Sequence, residues 1–187
     1  MDTKNWQVKG SMLLEYVRMI RKNKDRHWDK YLTKEDMEII EGRIMPSIWY
    51  PYETYLRAGM AIFHEITGGK IKLVWLGGRL SMERMLKEIY KGVILAGDPA
   101  KSLERFLNMR RQFFNFDIWT MQEISDKKIK ITIANLVESQ IAEIYASQMA
   151  GGFERLVELS EGKKPQITFQ KKQWAGDNIT EMDIIWE

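Results

Sequence analysis

The stretch IWTMQEISDKKIKITIANL, residues 118–136, is where the chain changes period. Within it Lys128, Lys130 and Thr132 alternate with Ile129, Ile131 and Ile133. Successive side chains of a strand point to opposite faces, so this alternation predicts a strand with one wet and one dry face. Ile118 to Ser125 reads as its partner and Lys128 to Leu136 as the strand itself, joined around Ser125-Asp126-Lys127.

Working outward from there, Val137 to Glu161 returns to helical spacing, with Ile141, Ile144, Tyr145 and Phe153 on one side. Ala142, Ala146 and Ala150 recur every four residues, small enough to let another backbone come close, within the subunit or across a dimer. Gln166 to Trp174 and Ile179 to Trp186 read as a closing hairpin around Ala175-Gly176-Asp177-Asn178. Toward the N-terminus, Ser11 is placed to cap a helix with a Leu13, Tyr16, Val17, Ile20 stripe. Thr33 and Asp36 have capping-box spacing. Pro51 suits the first turn of a helix through Tyr52, Tyr55, Leu56, Phe63 and Ile66 that Gly68-Gly69 would stop. A fourth helix carries Met82, Met85, Leu86, Ile89, Tyr90 and Val93, and Asp98-Pro99 opens a fifth through Leu103, Phe106, Leu107 and Phe113.

Helices first, then strand–strand–helix–strand–strand, predicts an α+β fold. Helices would pack on a small antiparallel sheet of about four strands, the strands lying in the C-terminal half. The expected organisation is a single domain over residues 1–187, with 1–45 a helical N-terminal extension and 46–187 the core.

With no cysteine, the chain has no disulfide, thiolate metal site or cysteine nucleophile. Two histidines, His27 and His64, preclude a multi-histidine metal centre. Lys and Arg number 29 against 26 Asp and Glu, and the densest basic run, Arg21 to Arg26, is diluted by Asp25, so no nucleic-acid partner is expected. No apolar run approaches the roughly 18 residues that a membrane span needs, and the N-terminus lacks a signal-peptide core. A cytoplasmic protein without a membrane span is expected.

Several residues could carry chemistry. His64 lies beside Phe63 and Ile66, with no second histidine or cysteine spaced to assist it. Gly68-Gly69-Lys70 and Gly77-Gly78-Arg79 place amides and a cation near expected helix starts, but neither has phosphate-loop spacing, and both read as helix punctuation. Glu181 and Asp183 share a face of the last strand with Asp177 at its turn, and read as a solvent face. The surplus of 12 Met, 7 Trp, 7 Tyr and 7 Phe suits either an irregular core or an adaptable apolar cavity.

The C-terminal third carries a resemblance. Met149 to Leu156, Trp174 to Glu181 and Ile184 to Trp186 resemble the superfamily of haem–nitric-oxide-binding domains, four-vinyl-reductase domains and Golgi trafficking-complex subunits. Over the longer span, Trp49-Tyr50-Pro51-Tyr52, Leu76-Gly77-Gly78-Arg79, Lys91-Gly92 and Trp186 are similar to an uncharacterised myxobacterial paralogous family. The resemblance implies helices over a small sheet, an apolar cavity and pairing through helices. The haem-binding relatives use a proximal histidine and a Tyr-x-Ser-x-Arg motif. That motif is not found here, and no histidine lies in Asp98–Phe116, so no cofactor is expected and haem is set aside.

The function expected is therefore a non-enzymatic, regulatory ligand-binding module that forms a homodimer. Its pocket for an apolar small molecule would be walled by Trp49, Tyr52, Phe63, Trp75, Phe106 and Phe113. The Ala142, Ala146, Ala150 face would serve helix packing or the dimer. One alternative is a structural adaptor with a filled core that grips a protein partner. An enzyme using His64 or Asp177, Glu181 and Asp183 is the third.

Overall fold

The computed structural model describes residues 5–88, 90–134 and 139–187, which form an α+β fold of six helices and two antiparallel sheets. Residues group into two compact units, the first comprising residues up to Lys70 together with Arg110–Asp117, the second Ile71–Met109 and Ile118–Glu187.

In the first unit β1 (Gln7–Lys9) runs directly into α1 (Gly10–Lys22). Ser11 is not the cap: the helix starts one residue earlier, and Lys9 precedes it with no side-chain capping bond. The stripe behaves as its spacing dictates, with Leu13, Val17 and Ile20 buried. Helix α2 (Lys34–Glu41) has the expected capping box, the Thr33 hydroxyl accepting from the Asp36 N–H and the Asp36 carboxylate from the Thr33 N–H. An unexpected strand, β2 (Trp49–Pro51), pairs with β1 and leads into α3 (Tyr52–Glu65). Three-residue strands in this irregular segment have too few positions to show a period.

Residues 5–45 are knit to the rest of this unit. The fully buried Asp36 accepts from the Thr54 hydroxyl at 2.7 Å and from Arg57 Nε at 2.6 Å, tying α2 to α3. Arg110–Asp117 joins the same unit through the Lys9 N–H, which donates to the Phe113 carbonyl at 2.8 Å, and a bridge from Val8 to Phe114.

In the second unit α4 spans Ile71–Glu88, so Gly77-Gly78 lies within a helix and does not begin one. Ile89 lies outside the described residues; Lys91–Val93 forms a single 3-10 turn. Helix α5 (Pro99–Met109) is shorter than expected, and Phe113 falls beyond the 3-10 turn after it. Then come β3 (Trp119–Ser125), β4 (Lys128–Ile133), α6 (Ser139–Leu159), β5 (Gln166–Lys171) and β6 (Thr180–Ile185). The expected continuations of β4 to Leu136 and of α6 from Val137 fall on 135–138, outside the described residues.

The strand order is β3-β4-β6-β5, all neighbours antiparallel. The register places Ile129 opposite Ile184 and Ile131 opposite Met182, all fully buried, whereas Lys130 meets Asp183 and Thr132 meets Glu181 on the other face. Ala142, Ala146, Ala150 and Phe153 form a fully buried stripe of α6.

Candidate functional site

The first unit contains a layer of aromatic rings. Tyr52, at the start of α3, packs against Trp6 at 5.8 Å, Tyr55 at 5.9 Å and Phe116 at 4.6 Å between ring centroids. Trp6 stacks on Phe116 at 4.1 Å, and Tyr16 of α1 stacks on Tyr55 at 4.9 Å. Edge and offset contacts of this kind bury large areas at little entropic cost. The Tyr52 side chain is 1% exposed, and its hydroxyl has no hydrogen-bond partner among the described residues. Burial, with the nearby Tyr16 phenol, pushes its pKa far up, so the group is a neutral donor at every working pH.

His64 sits at the end of the same helix, half-buried. Its ring lies flat on Tyr31 at 5.0 Å and meets the edge of Phe63 at 5.1 Å. His27 is exposed. A groove of about 680 Å³ in this unit is lined by Ile20, Trp28, Met37 and Ile40 with the exposed Arg21, Lys24 and Glu41.

The six residues expected to wall one pocket divide between the units. Trp49, Tyr52, Phe63 and Phe113 lie in the first, Trp75 and Phe106 in the second. Trp49 is half-buried beneath Lys9 Nζ, 4.0 Å from its ring. Phe106 packs against Trp119 and Phe153. Trp75 serves a polar contact, its indole N–H donating to Glu154 at 2.7 Å.

That contact belongs to an ion network between α4 and α6. Arg79 reaches Glu154 at 2.6 Å and Glu158 at 2.8 Å, and Arg155 reaches Glu83 at 3.0 Å and Glu158 at 2.6 Å. Hydrogen bonds from Arg155 and Lys87 bring the Glu83 carboxyl down to about 2. Spacing could not find the Arg79–Glu154, Arg79–Glu158 and Arg155–Glu83 pairs, which lie 72 to 79 positions apart. Only Arg79 stood out, through its two glycines.

The C-terminal carboxylates are each held by a local partner. Asp183 is buried, taking Lys128 at 2.8 Å and Gln170 at 3.2 Å; Glu181 takes Lys130 at 3.2 Å; and Asp177 accepts from the Lys172 N–H at 2.7 Å. They form a paired ladder in the second unit, whereas His64 belongs to the first. The fully buried Ala142, Ala146 and Ala150 present no surface to a second chain.

Among the described residues no three His, Asp or Glu side chains gather as a metal site, and no helix is long and apolar enough to cross a membrane.

No family model matches the chain, and no curated protein matches it in sequence. Its structure does match solved ones. An H-NOX protein from S. oneidensis in the Fe(II)NO ligation state aligns with a TM-score of 0.63 at 10% identity, over 96% of this chain and 99% of that one. An oxygen-binding H-NOX domain related to soluble guanylate cyclases gives 0.60 at 11%, over 96% and 95%. The Fe(II) unliganded H-NOX protein from K. algicida gives 0.58 at 11%, over 96% of both.

The expectation of no cofactor, with haem set aside, is corrected here. Structures that share this fold are described with Fe(II), and one probes haem distortion in the H-NOX family. Haem iron is held axially by His, Cys, Met or Tyr. In the first unit the donor of this kind with rings beside it is the half-buried His64 imidazole, which is stacked on Tyr31 and edged by Phe63. The second contains no histidine or cysteine. The chain has the fold of the H-NOX domains.

Proposed function

We propose that the chain is a non-enzymatic regulatory module that binds a flat, largely apolar small molecule, tetrapyrroles included, and reports its presence. The observation that carries this reading is the likeness, over 96% of the chain, to H-NOX domains described in oxygen-bound and Fe(II)NO states. The aromatic layer around Tyr52 supports it. Such rings bind flat ligands by burial, and a buried neutral hydroxyl can donate to a polar atom of the ligand. For haem, His64 would hold the iron and the bound group would supply a position for a diatomic gas. His64 lies about 18 Å along α3 from Tyr52, so the Tyr52 layer would serve a ligand other than one held by His64. The chain's own contribution is to exclude water from the ligand and to orient it. A homodimer in the cytoplasm is part of the proposal, built on a surface other than the alanine stripe.

The test is titration of the purified protein with hemin, followed by its Soret absorbance, beside native mass spectrometry of protein as isolated. A saturable Soret shift lost in His64→Ala supports a haem sensor, and an excess mass of a few hundred daltons without hemin binding supports another apolar ligand. A clean apo mass together with no hemin uptake overturns the proposal and favours an adaptor with a filled core.

A further inference from the structure

Helix α4 is apolar on two opposite sides. Gly78, Met82 and Leu86 form its buried side. At about 100° per residue, Leu73, Leu76 and Leu80 fall on the opposite one. There they stand 43%, 43% and 66% exposed. A helix facing only water would carry polar residues there. Gly77 lies among them, and a methyl group added to it would meet nothing.

The charges around this stripe are mostly of one sign. Lys72, Arg84, Lys87 and Lys91 are exposed on α4 and the turn after it, against Glu83 and Glu88. The Glu83 charge is shared by Lys87 and by Arg155 of α6, so Lys72, Arg84 and Lys91 supply the positive excess over Glu88. Three leucines offer only a fraction of the roughly 800 Å² per partner that a stable protein interface buries. A lipid surface asks for less: a few inserted apolar side chains, with cations drawn to anionic headgroups.

We infer that the outer face of α4 docks on an anionic lipid bilayer, Leu73, Leu76 and Leu80 entering the headgroup boundary beneath a fringe of lysine and arginine. This inference is independent of what the aromatic layer binds. It makes the chain a peripheral membrane protein with no spanning segment of its own among the described residues.

Co-sedimentation with vesicles tests it, using phosphatidylcholine alone and an anionic mixture of phosphatidylcholine with phosphatidylglycerol. The full chain is expected to pellet with the anionic vesicles and stay soluble with neutral ones. Raising sodium chloride from about 0.1 M to about 1 M, which shortens the screening length from about 10 Å to about 3 Å, should release most of it. Leu80→Glu should lower the bound fraction at least about tenfold. Because a new carboxylate also repels anionic lipid, Leu76→Gln should weaken binding as well, and both variants should melt as the wild type does. No pelleting by the wild type, equal pelleting with neutral vesicles, or wild-type binding by both variants overturns the inference. So does a dimer in sedimentation velocity that Leu80→Glu abolishes, which would make the stripe an interface between copies of the chain.

Discussion

Gly78 of α4 lies so close to Gln148 of α6 that a methyl group on it would overlap the Gln148 carbonyl oxygen. Gly151 of α6 stands in the same relation to the Trp75 carbonyl. The two helices thus touch backbone to backbone, and the arginine–glutamate network closes over this contact. Neighbouring Gly77 has open space where a side chain would go.

The adjacent glycines should therefore respond oppositely to alanine. Gly78→Ala forces α4 and α6 apart and should cost about 3 kcal/mol or more, as overpacking against unyielding backbone does. Gly77→Ala removes the entropic penalty of a mid-helix glycine and should stabilise by about 0.5–1 kcal/mol. Urea unfolding of the two variants decides it, and equal effects would show that the helices do not pack this way.

Asp36 predicts an acid limb. Burial by itself would raise its pKa, but hydrogen bonds from Arg57, Thr54 and the Thr33 backbone together hold it below the ordinary value of 3.8. A carboxylate depressed in the folded state adds stability above its unfolded pKa and loses it as pH falls through the folded one. Wild-type stability should decline below about pH 4, and Asp36→Asn should lack that part of the decline. At pH 7 the variant should be weaker by about 2–3 kcal/mol, less than for a fully buried pair because Arg57 is 35% exposed. An unchanged urea midpoint at pH 7 would contradict this account.

The Tyr52 hydroxyl is buried without a partner among the described residues, at a cost of about 1–3 kcal/mol. Tyr52→Phe keeps every ring contact and removes that cost, so the ligand-free protein should gain about 1 kcal/mol. Thermal melts of the two proteins measure it. A variant less stable than wild type would mean that the hydroxyl is satisfied.

Ala146 is fully buried in the second unit. Ala146→Leu should lower stability by about 1–3 kcal/mol at every protein concentration, with no change in oligomeric state. A concentration-dependent loss of a dimer with unchanged folding would count against this placement.

Much of the fold was legible in local pattern. The isoleucine alternation at 128–133 determined a half-buried strand because period two has no other stable reading, and the Thr33–Asp36 box determined a helix start because its bonds close within four residues. What tertiary structure decided was pairing at long range. Gly77-Gly78 reads as punctuation until Gln148 is placed against Gly78, and Asp36 reads as a cap until Arg57 arrives at 2.6 Å. The alanine spacing showed that something comes close to α6, and only the fold showed that it comes from within the chain. The six expected pocket residues share a chemistry but divide between the two units, because aromatic composition carries no information about which unit a ring joins. Periodicity reports which face of an element is dry. Which element dries it depends on contacts between distant residues, and these alone assembled the Tyr52 layer and left the leucines of α4 facing outward.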